Sequence, residues 1–440
     1  MGIELLERLT EEVLGLDPAT RVGRVAAASG GLVDVTGLGR AVELGDRVRI
    51  GAAPGVAGEI VQVSDATARV LPEGSVEGLS PGSLVRRLHK RHLRPSDDWI
   101  GRIIDPDGRP LDGRPLLPGR EPRPLRASPP SAHGRRGFGA RLETGYALFN
   151  TLLPIVRGQR IGLFAGSGIG KSTLLAGLAR QVDADVVVLG LVGERGRELA
   201  HFTRSVLGEE GMARSVVVAA TSDRAPQTRR RCAWAATAVA EHFRAQGAHV
   251  LLLLDSVTRF AEAHREVAVA SGEPAALRGF PASTAPAIAA LCERAGPGAG
   301  EEGDITAIYS VLVAGSDMDE PVADWLRGVL DGHVVLDRDI AQRGRFPAVD
   351  VLRSVSRSLP EAASIAENRL LDLARRHLGT FAQAELMVQA GLYAPGSDPA
   401  IDEALRTHGP LEQVFRRVSD PNTATSFAAL RQALATGDQG

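Results

Sequence analysis

The sequence predicts an α/β fold in which a parallel sheet wrapped by helices lies between a small β-barrel and a C-terminal helical region. Buried parallel strands appear as continuous apolar runs separated by helical segments. Between about residues 140 and 362, five such runs occur, which are RIGLFAG, DVVVLGLVGE, SVVVAAT, HVLLLLDS and ITAIYSVLVAG. Short β-rich runs divided by Gly, Pro and Asp turns predict the barrel from about residue 20 to 92. After about residue 363 the strand pattern stops and a helical pattern begins.

Composition limits the class of protein. The 440 residues are 44% hydrophobic and 24% charged, with a net charge of −2. This balance indicates an ordinary globular protein rather than a basic nucleic-acid binder or a disordered polyanion. Cys232 and Cys292 are too few for a disulfide framework. The sequence has no apolar run of membrane-spanning length, and its start does not have the form of a secretory signal. We therefore expect a cytoplasmic protein.

Changes of pattern along the chain predict four segments. We expect an amphipathic helix over 1–19, a β-barrel over 20–95, an α/β domain over 96–362 and a helical domain over 363–440. In the first segment, Leu5, Leu6, Leu9, Val13 and Leu14 fall on one helical face. That face either binds a partner or packs on its own domain, and the sequence does not decide between the two.

Residues 165–173 read AGSGIGKST and predict a nucleotide-binding P-loop at the end of a strand. Backbone amides of such a turn and of the following helix start surround phosphate groups. Lys171 would neutralise the β and γ phosphates, and Ser172 would hold Mg²⁺. Lys171 is one of only two lysines in an arginine-rich chain, the other being Lys90. The strict motif begins with Gly where this chain has Ala165, and the predicted contacts are Ala165, Gly166, Ser167, Gly168, Ile169, Gly170, Lys171, Ser172 and Thr173.

Two acidic residues follow other predicted strands. HVLLLLD ends in Asp255, which is expected beside the P-loop and would associate with Mg²⁺. DVVVLGLVGERGRE places Glu194 at a strand end, where a carboxylate can orient and polarise the water that attacks the γ-phosphate. Arg195 could reach phosphate. The simpler alternatives are a turn residue for Asp255 and a surface charge cluster for the GERGRE segment.

A cation beyond the γ-phosphate is a common further requirement of phosphoryl transfer. The segment SVSR ends in Arg357, far along the chain from the P-loop. An arginine at that separation reaches a neighbouring subunit more naturally than its own site. Spacing alone leaves a surface arginine as the simpler interpretation.

Six segments together resemble the type III protein-export ATPases, relatives of the catalytic subunits of rotary F-type ATP synthases. In order they are AGSGIGKST, GERGRE, LLLLDSVTRF, SGEPAALRGFPAS, LDGHVVLDRDIAQRGRFPAVD and SVSR. The resemblance covers about residues 20–440 and is most similar to the flagellum-specific group. It implies a RecA-like P-loop ATPase core, and it implies that 271–281 lines the central pore of a ring.

The resemblance also implies residue roles. Glu194 would be the catalytic glutamate, Arg195 a phosphate contact, and Asp255 the Mg²⁺-associated acid. Arg357 would be an arginine finger given in trans, so that a homohexamer has a complete site at every interface. Phe346 would lie against the adenine ring, with a core phenylalanine as the alternative. Arg229 would be a phosphate-sensing arginine, although TRRRCAWAA departs from the usual run of the family.

The implied function is ATP hydrolysis that drives flagellar protein export through a type III secretion apparatus. The implied partners are a stator-like regulator at the N-terminal helix, a central stalk protein, export-gate membrane proteins, and substrates with their chaperones, at the inner face of the cytoplasmic membrane. An injectisome ATPase, a rotary synthase subunit and an inactive ring scaffold are the alternatives. A ring-shaped RNA helicase is disfavoured because residues 1–98 contain no Phe, Tyr or Trp on which bases could stack.

Overall fold

The chain, in a computed structural model, is described over residues 21–39, 42–88, 92–131, 133–166, 168–313, 318–419 and 422–435. It forms two compact units. The first contains the described residues up to His92 together with Asp223–Arg230 and Glu262–Thr284, and the second contains the other described residues. The helix predicted over 1–19 lies outside the described ranges. None of the helices within them combines the length and the apolar character that crossing a bilayer requires.

The predicted barrel is confirmed as six antiparallel strands that close in the order β1-β2-β5-β4-β3-β6. Side chains alternate along each strand, so that every second residue faces the barrel interior. Val33, Val48, Ile50, Val70 and Val85 are fully buried there. The strands are β1 Val22–Ser29, β2 Leu32–Thr36, β3 Arg47–Ile50, β4 Val56–Val63, β5 Thr67–Pro72 and β6 Leu84–Arg87.

The second unit contains a nine-stranded sheet of order β15-β14-β8-β13-β11-β9-β10-β7, with the short β12 paired to β13. All neighbours are parallel except that β15 runs antiparallel to β14 and β12 runs antiparallel to β13. The bounds are β7 Arg102–Ile104, β8 Arg160–Ala165, β9 Val186–Glu194, β10 Ser215–Thr221, β11 His249–Asp255, β12 Gly296–Pro297, β13 Asp304–Leu312, β14 Gly332–Leu336 and β15 Val349–Ser356.

The five apolar runs are confirmed as β8, β9, β10, β11 and β13. Their side chains are buried because helices cover the sheet, and Leu251 to Leu254 of β11 are at most 1% exposed. Sequence reasoning missed β14 and β15. Most of β15 alternates between buried and exposed positions, which a search for continuous apolar runs does not find. Since β8, β9 and β11 are parallel, their carboxyl ends meet at one edge of the sheet.

The helices begin and end as follows: α1 Ala147–Asn150, α2 Lys171–Gln181, α3 Gly196–His201, α4 Gly208–Met212, α5 Pro226–Ala245, α6 Val257–Ala270, α7 Thr284–Cys292, α8 Pro321–Val329, α9 Arg338–Gln342, α10 Ile365–Gln389, α11 Pro399–Phe415 and α12 Thr423–Ala435. A π-helical turn, Phe202–Leu207, joins α3 to α4. The last three helices confirm the helical C-terminal region. A capping box formed by Ser364 and Glu367 fixes the start of α10.

Candidate functional site

The phosphate-binding turn lies between the end of β8 and the start of α2. Gly168 and Gly170 have φ values of +79° and +87°, a left-handed conformation that strains any residue with a Cβ. A Cβ on Gly170 would also lie 3.5 Å from the ring of Phe346. The two glycines are therefore required by backbone conformation, and the Phe346 ring lies in van der Waals reach of position 170. Ser167 lies outside the described residues.

The start of α2 has the features of an anion site. Gly170 caps the helix without a side-chain hydrogen bond. The first helical bond of α2 is donated by the Leu174 amide to the Gly170 carbonyl at 3.0 Å, so the amides of Lys171, Ser172 and Thr173 precede the helical ladder. Such amides, at the positive end of the helix dipole, favour phosphate oxygens. The turn therefore fits the phosphates of a nucleotide.

Lys171 and Asp255 form an ion pair at the carboxyl edge of the sheet. The Lys171 Nζ donates to Asp255 Oδ1. The hydroxyl of Ser310, on the neighbouring strand β13, donates to the same oxygen at 2.6 Å. The two charged side chains are only 11% and 8% exposed, so little water screens them. The two residues predicted on separate motifs are thus brought into direct contact.

Glu194 lies beside this pair at the end of β9. Strands β9 and β11 are adjacent, with Leu191 opposite Asp255. Burial and the negative charge of Asp255 raise the pKa of Glu194 to about 7, and the Lys171 ammonium opposes part of this rise. A hydrogen bond with Glu198 adds to the rise. A carboxyl group with a pKa near neutrality is suited to exchange a proton with water.

The oxygen donors beside the phosphate turn suit Mg²⁺. This ion typically takes one or two protein oxygen ligands and completes its octahedron with phosphates and water. Asp255 supplies a carboxylate and Ser172 an exposed hydroxyl in the first turn of α2. Within the described residues there is no group of three or more His, Cys, Asp or Glu that could hold a metal ion. The residues therefore fit a metal that arrives with the nucleotide, and they do not form a closed protein cage.

Two predicted phosphate contacts have protein partners. Arg195 is 66% exposed and lies 3.3 Å from Glu198. Arg229 donates two hydrogen bonds of 2.9 Å to Glu266. An exposed ion pair such as Arg195–Glu198 contributes little to stability, and its side chains readily change partners. The roles of both arginines toward phosphate stay predictions.

Phe346 is 53% exposed and packs against Gly170 of the phosphate turn. A core phenylalanine, the alternative considered from sequence, is excluded by this exposure. An exposed ring beside the turn is placed where a nucleotide base could stack on it. Its role toward adenine stays a prediction.

Arg357 lies at the opposite edge of the sheet from Lys171. Its amide donates to the Asp331 carbonyl at 3.0 Å, and the Asp331 amide donates to Arg160, the first residue of β8, at 2.8 Å. Lys171 follows the other end of β8, about 17 Å away at the usual rise per residue. The exposed Arg357 guanidinium donates to the Arg327 carbonyl. Arg357 therefore does not face the Lys171, Asp255 and Glu194 cluster of its own chain.

Sequence reasoning missed Ser310 and gave no role to Glu198. The apolar run ITAIYSVLVAG contains three hydroxyl groups, those of Thr306, Tyr309 and Ser310, and the position of Ser310 nearest the strand end was the available signal. Glu198 belongs to the quoted GERGRE segment, and its distance of four residues from Glu194 was the signal there.

Three family models match the chain. The beta-barrel domain of the ATP synthase alpha/beta family matches residues 25–89, and its nucleotide-binding domain matches residues 145–356. The T3SS EscN ATPase C-terminal domain matches residues 366–436. The flagellum-specific ATP synthase of Caulobacter vibrioides is 42% identical over 98% of this chain and 99% of the relative. The chain belongs to the type III secretion ATPases of the ATP synthase alpha/beta family.

Other members of the family agree. The type 3 secretion system ATPase of Sinorhizobium fredii is 42% identical over 82% of this chain and 80% of its own. The assembled ATPase EscN from enteropathogenic E. coli superposes with a TM-score of 0.88 at 34% identity, covering 94% of this chain and 100% of EscN. EscN in complex with its central stalk EscO gives a TM-score of 0.85. These matches confirm the family resemblance and the fold. They also support ATP hydrolysis as the activity of the chain.

Proposed function

We propose that this chain is a Mg²⁺-dependent ATPase that drives export of flagellar proteins through a type III secretion apparatus. The observation that carries the ATPase chemistry is the convergence of Lys171, Asp255 and Glu194 at one edge of the sheet, beside a turn that fits phosphates. The flagellar assignment is supported by the full-length match to a flagellum-specific ATP synthase.

The proposed roles follow from charge and position. The turn and the first amides of α2 bind the ATP phosphates, and Lys171 exchanges its contact with Asp255 for phosphate oxygens. Ser172 and Asp255 hold Mg²⁺, which when bound withdraws charge from the phosphates. Glu194 orients the attacking water and accepts its proton, and Phe346 stacks on the base. Arg195 and Arg229 contact phosphate after leaving their carboxylate partners.

We further propose that the active form is a homohexamer. Arg357 lies at the opposite sheet edge from Lys171, which supports a role as an arginine finger in the site of the neighbouring subunit. The assembled state of EscN supports a ring of identical chains. With both halves of the site on one chain, every interface of such a ring would be catalytic.

The proposed partners are a central stalk, a stator-like regulator at residues 1–19, the export-gate membrane proteins, and export substrates with chaperones. The complex of EscN with EscO supports the stalk. The protein would act at the inner face of the cytoplasmic membrane, without binding nucleic acid. We place the boundaries between the N-terminal helix, the barrel, the ATPase domain and the C-terminal helical domain after residues 19, 95 and 362.

Mixed rings test the role of Arg357. Lys171→Ala and Arg357→Ala subunits are each expected to be inactive alone. In a mixed ring, some interfaces join an intact P-loop to an intact finger, so activity should partly return. Rings shown by mass to be mixed that stay inactive would count against action in trans.

An injectisome ATPase is the second candidate, supported by the match to EscN. Deletion of the gene distinguishes the two. Loss of swimming with other secretion intact supports the flagellar proposal, and normal flagella in the deletion strain would overturn it.

A further inference from the structure

One oxygen of Asp255 accepts two hydrogen bonds from different sides. Lys171 Nζ and Ser310 Oγ both donate to Oδ1. Ser310 is fully buried on β13, and its neighbours along the strand, Tyr309 and Val311, are fully buried too. A hydroxyl buried in such a strand is unfavourable unless it has a partner, and here its acceptor is a carboxylate.

The two donors differ in freedom to move. Lys171 carries an ammonium on a flexible four-carbon stem at the start of α2, next to the phosphate turn. The Ser310 hydroxyl sits on a short side chain in the middle of the sheet, with β11 and β8 paired on its two sides. When Lys171 turns to an incoming phosphate, Asp255 loses the ammonium but keeps the hydroxyl.

We propose that Ser310 is a positioning residue for Mg²⁺-nucleotide binding. Its hydroxyl fixes Oδ1 of Asp255 while Lys171 changes partner, so that the carboxylate keeps its orientation and presents Oδ2 toward the metal. This inference rests on the proposed function, because it requires Asp255 to act toward Mg²⁺. Without Ser310, the carboxylate would have to reorient during binding, and the affinity gained from Mg²⁺ would fall.

A binding experiment without turnover tests this role. The affinity of the full chain for fluorescent ADP is measured against free Mg²⁺ for native protein, Ser310→Ala and Ser310→Thr. Ser310→Ala should raise the Mg²⁺ concentration for half-maximal effect about tenfold, the order expected for one charge-assisted hydrogen bond. Affinity without Mg²⁺ should change less than about twofold, since the phosphate turn is intact. Ser310→Thr, which retains the hydroxyl, should restore the native response.

Ser215 provides the matched control. It is also fully buried in a strand of the same sheet, and its hydroxyl donates to the Gly211 carbonyl at 2.6 Å. Ser215→Ala should leave the Mg²⁺ response unchanged. Ser310→Cys, which keeps the volume but has a weak donor, replaces the alanine variant should that variant not fold.

Equal responses of Ser310→Ala and Ser215→Ala, or failure of Ser310→Thr to restore binding, would overturn the inference and leave Ser310 as a packing residue. If the nucleotide affinity of the native protein does not change with Mg²⁺ concentration, the metal role of Asp255 is overturned as well. The two failures are therefore distinguishable, because only the second appears in the native protein.

Discussion

Glu194 and Asp255 terminate neighbouring parallel strands, and the negative charge of Asp255 helps to raise the pKa of Glu194 to about 7. In the nucleotide-free cluster, the protonated and ionised forms of Glu194 are therefore both accessible near neutral pH. Addition of positive charge favours the ionised form of a neighbouring carboxyl. The charges that a bound nucleotide and its metal bring should therefore shift the pKa of Glu194.

Glu194→Gln should stabilise the nucleotide-free protein at high pH. Because the pKa is raised on folding, the unfolded chain releases this proton near its ordinary value of 4.5 while the folded site still holds it. The resulting cost to stability grows as pH rises from about 4.5 and is complete above pH 7. Glutamine removes that cost, so the variant should unfold at a temperature about 2–4 °C higher at pH 8.

Thermal unfolding at pH 5 and pH 8 measures the effect. The difference between variant and native should be smaller at pH 5, because that pH lies only just above the ordinary pKa of 4.5 and little of the cost has accumulated there. Glu361→Gln, at an exposed position, is the control and should show no such change with pH. A rise in unfolding temperature that is equal at pH 5 and pH 8 would show that titration of Glu194 is not its cause.

Lys171 and Asp255 should be energetically coupled in the nucleotide-free state. Lys171→Ala leaves the buried Asp255 without its ammonium partner, and Asp255→Asn leaves the ammonium without its carboxylate. The double variant removes both charges and should be more stable than the sum of the single effects predicts, by about 1–3 kcal/mol. Urea unfolding of the four proteins gives this coupling. Strict additivity would contradict the ion pair.

Phe346 should contribute to affinity for the base rather than to folding. Its side chain is half exposed, so Phe346→Ala should leave the unfolding temperature nearly unchanged. Loss of base stacking, worth about 1–3 kcal/mol per base in nucleic-acid binders, should weaken ATP binding about tenfold. Phe346→Tyr should retain affinity. Inorganic triphosphate, which lacks a base, should bind native and variant equally, and an equal loss for both ligands would refute the stacking role.

The sequence was sufficient to predict the strand ends of the site, because several neighbouring residues mark each of them. The apolar run ending in Asp255 and the glycine turn before Lys171 each indicate a strand end, and a parallel sheet brings such ends together. The contact between these two side chains could not be predicted, because it depends on rotamers across neighbouring strands. Ser310 shows the same limit, since only the pairing of β11 with β13 reveals its acceptor.

The sheet edge at which Arg357 lies could not be predicted from the sequence, because it depends on the topology of the sheet. Its position depends on β15 running antiparallel to β14 at the end of the sheet, and the exposed residues of β15 do not form an apolar run. A parallel β15 would have carried Arg357 to the same edge as Lys171. The reversal of one strand thus decides whether this arginine faces its own site.

Hydrolysis should depend steeply on protein concentration. Arg357 lies across the sheet from the cluster of its own chain, so one subunit would lack the cation beyond the γ-phosphate. The rate per chain should rise as subunits assemble, with oligomer mass increasing in parallel. Arg357→Ala should assemble and bind nucleotide as the native protein does but remain slow. A native rate that is constant from monomer to oligomer would contradict a shared site.

Three consecutive arginines on α5 should differ sharply in their effects. Arg229 pairs with Glu266, Arg230 with Glu59 and Arg231 with Asp107. The Arg230 and Glu59 side chains are each only 6% exposed, whereas Glu266 is 44% exposed. Removing one member of a buried ion pair leaves the other desolvated, so Arg230→Ala should cost about 3–5 kcal/mol of unfolding free energy.

Arg229→Ala should cost less stability, because Glu266 regains water when its partner leaves. If Arg229 contacts phosphate, its removal should nevertheless slow ATP hydrolysis, whereas Glu266→Gln, which frees the guanidinium, should not. Urea unfolding and steady-state hydrolysis of the three variants separate these effects. A role at the nucleotide would make loss of Arg229 slow hydrolysis more than loss of the Glu266 charge. Equal slowing by Arg229→Ala and Glu266→Gln would therefore show that the pair has only a structural role.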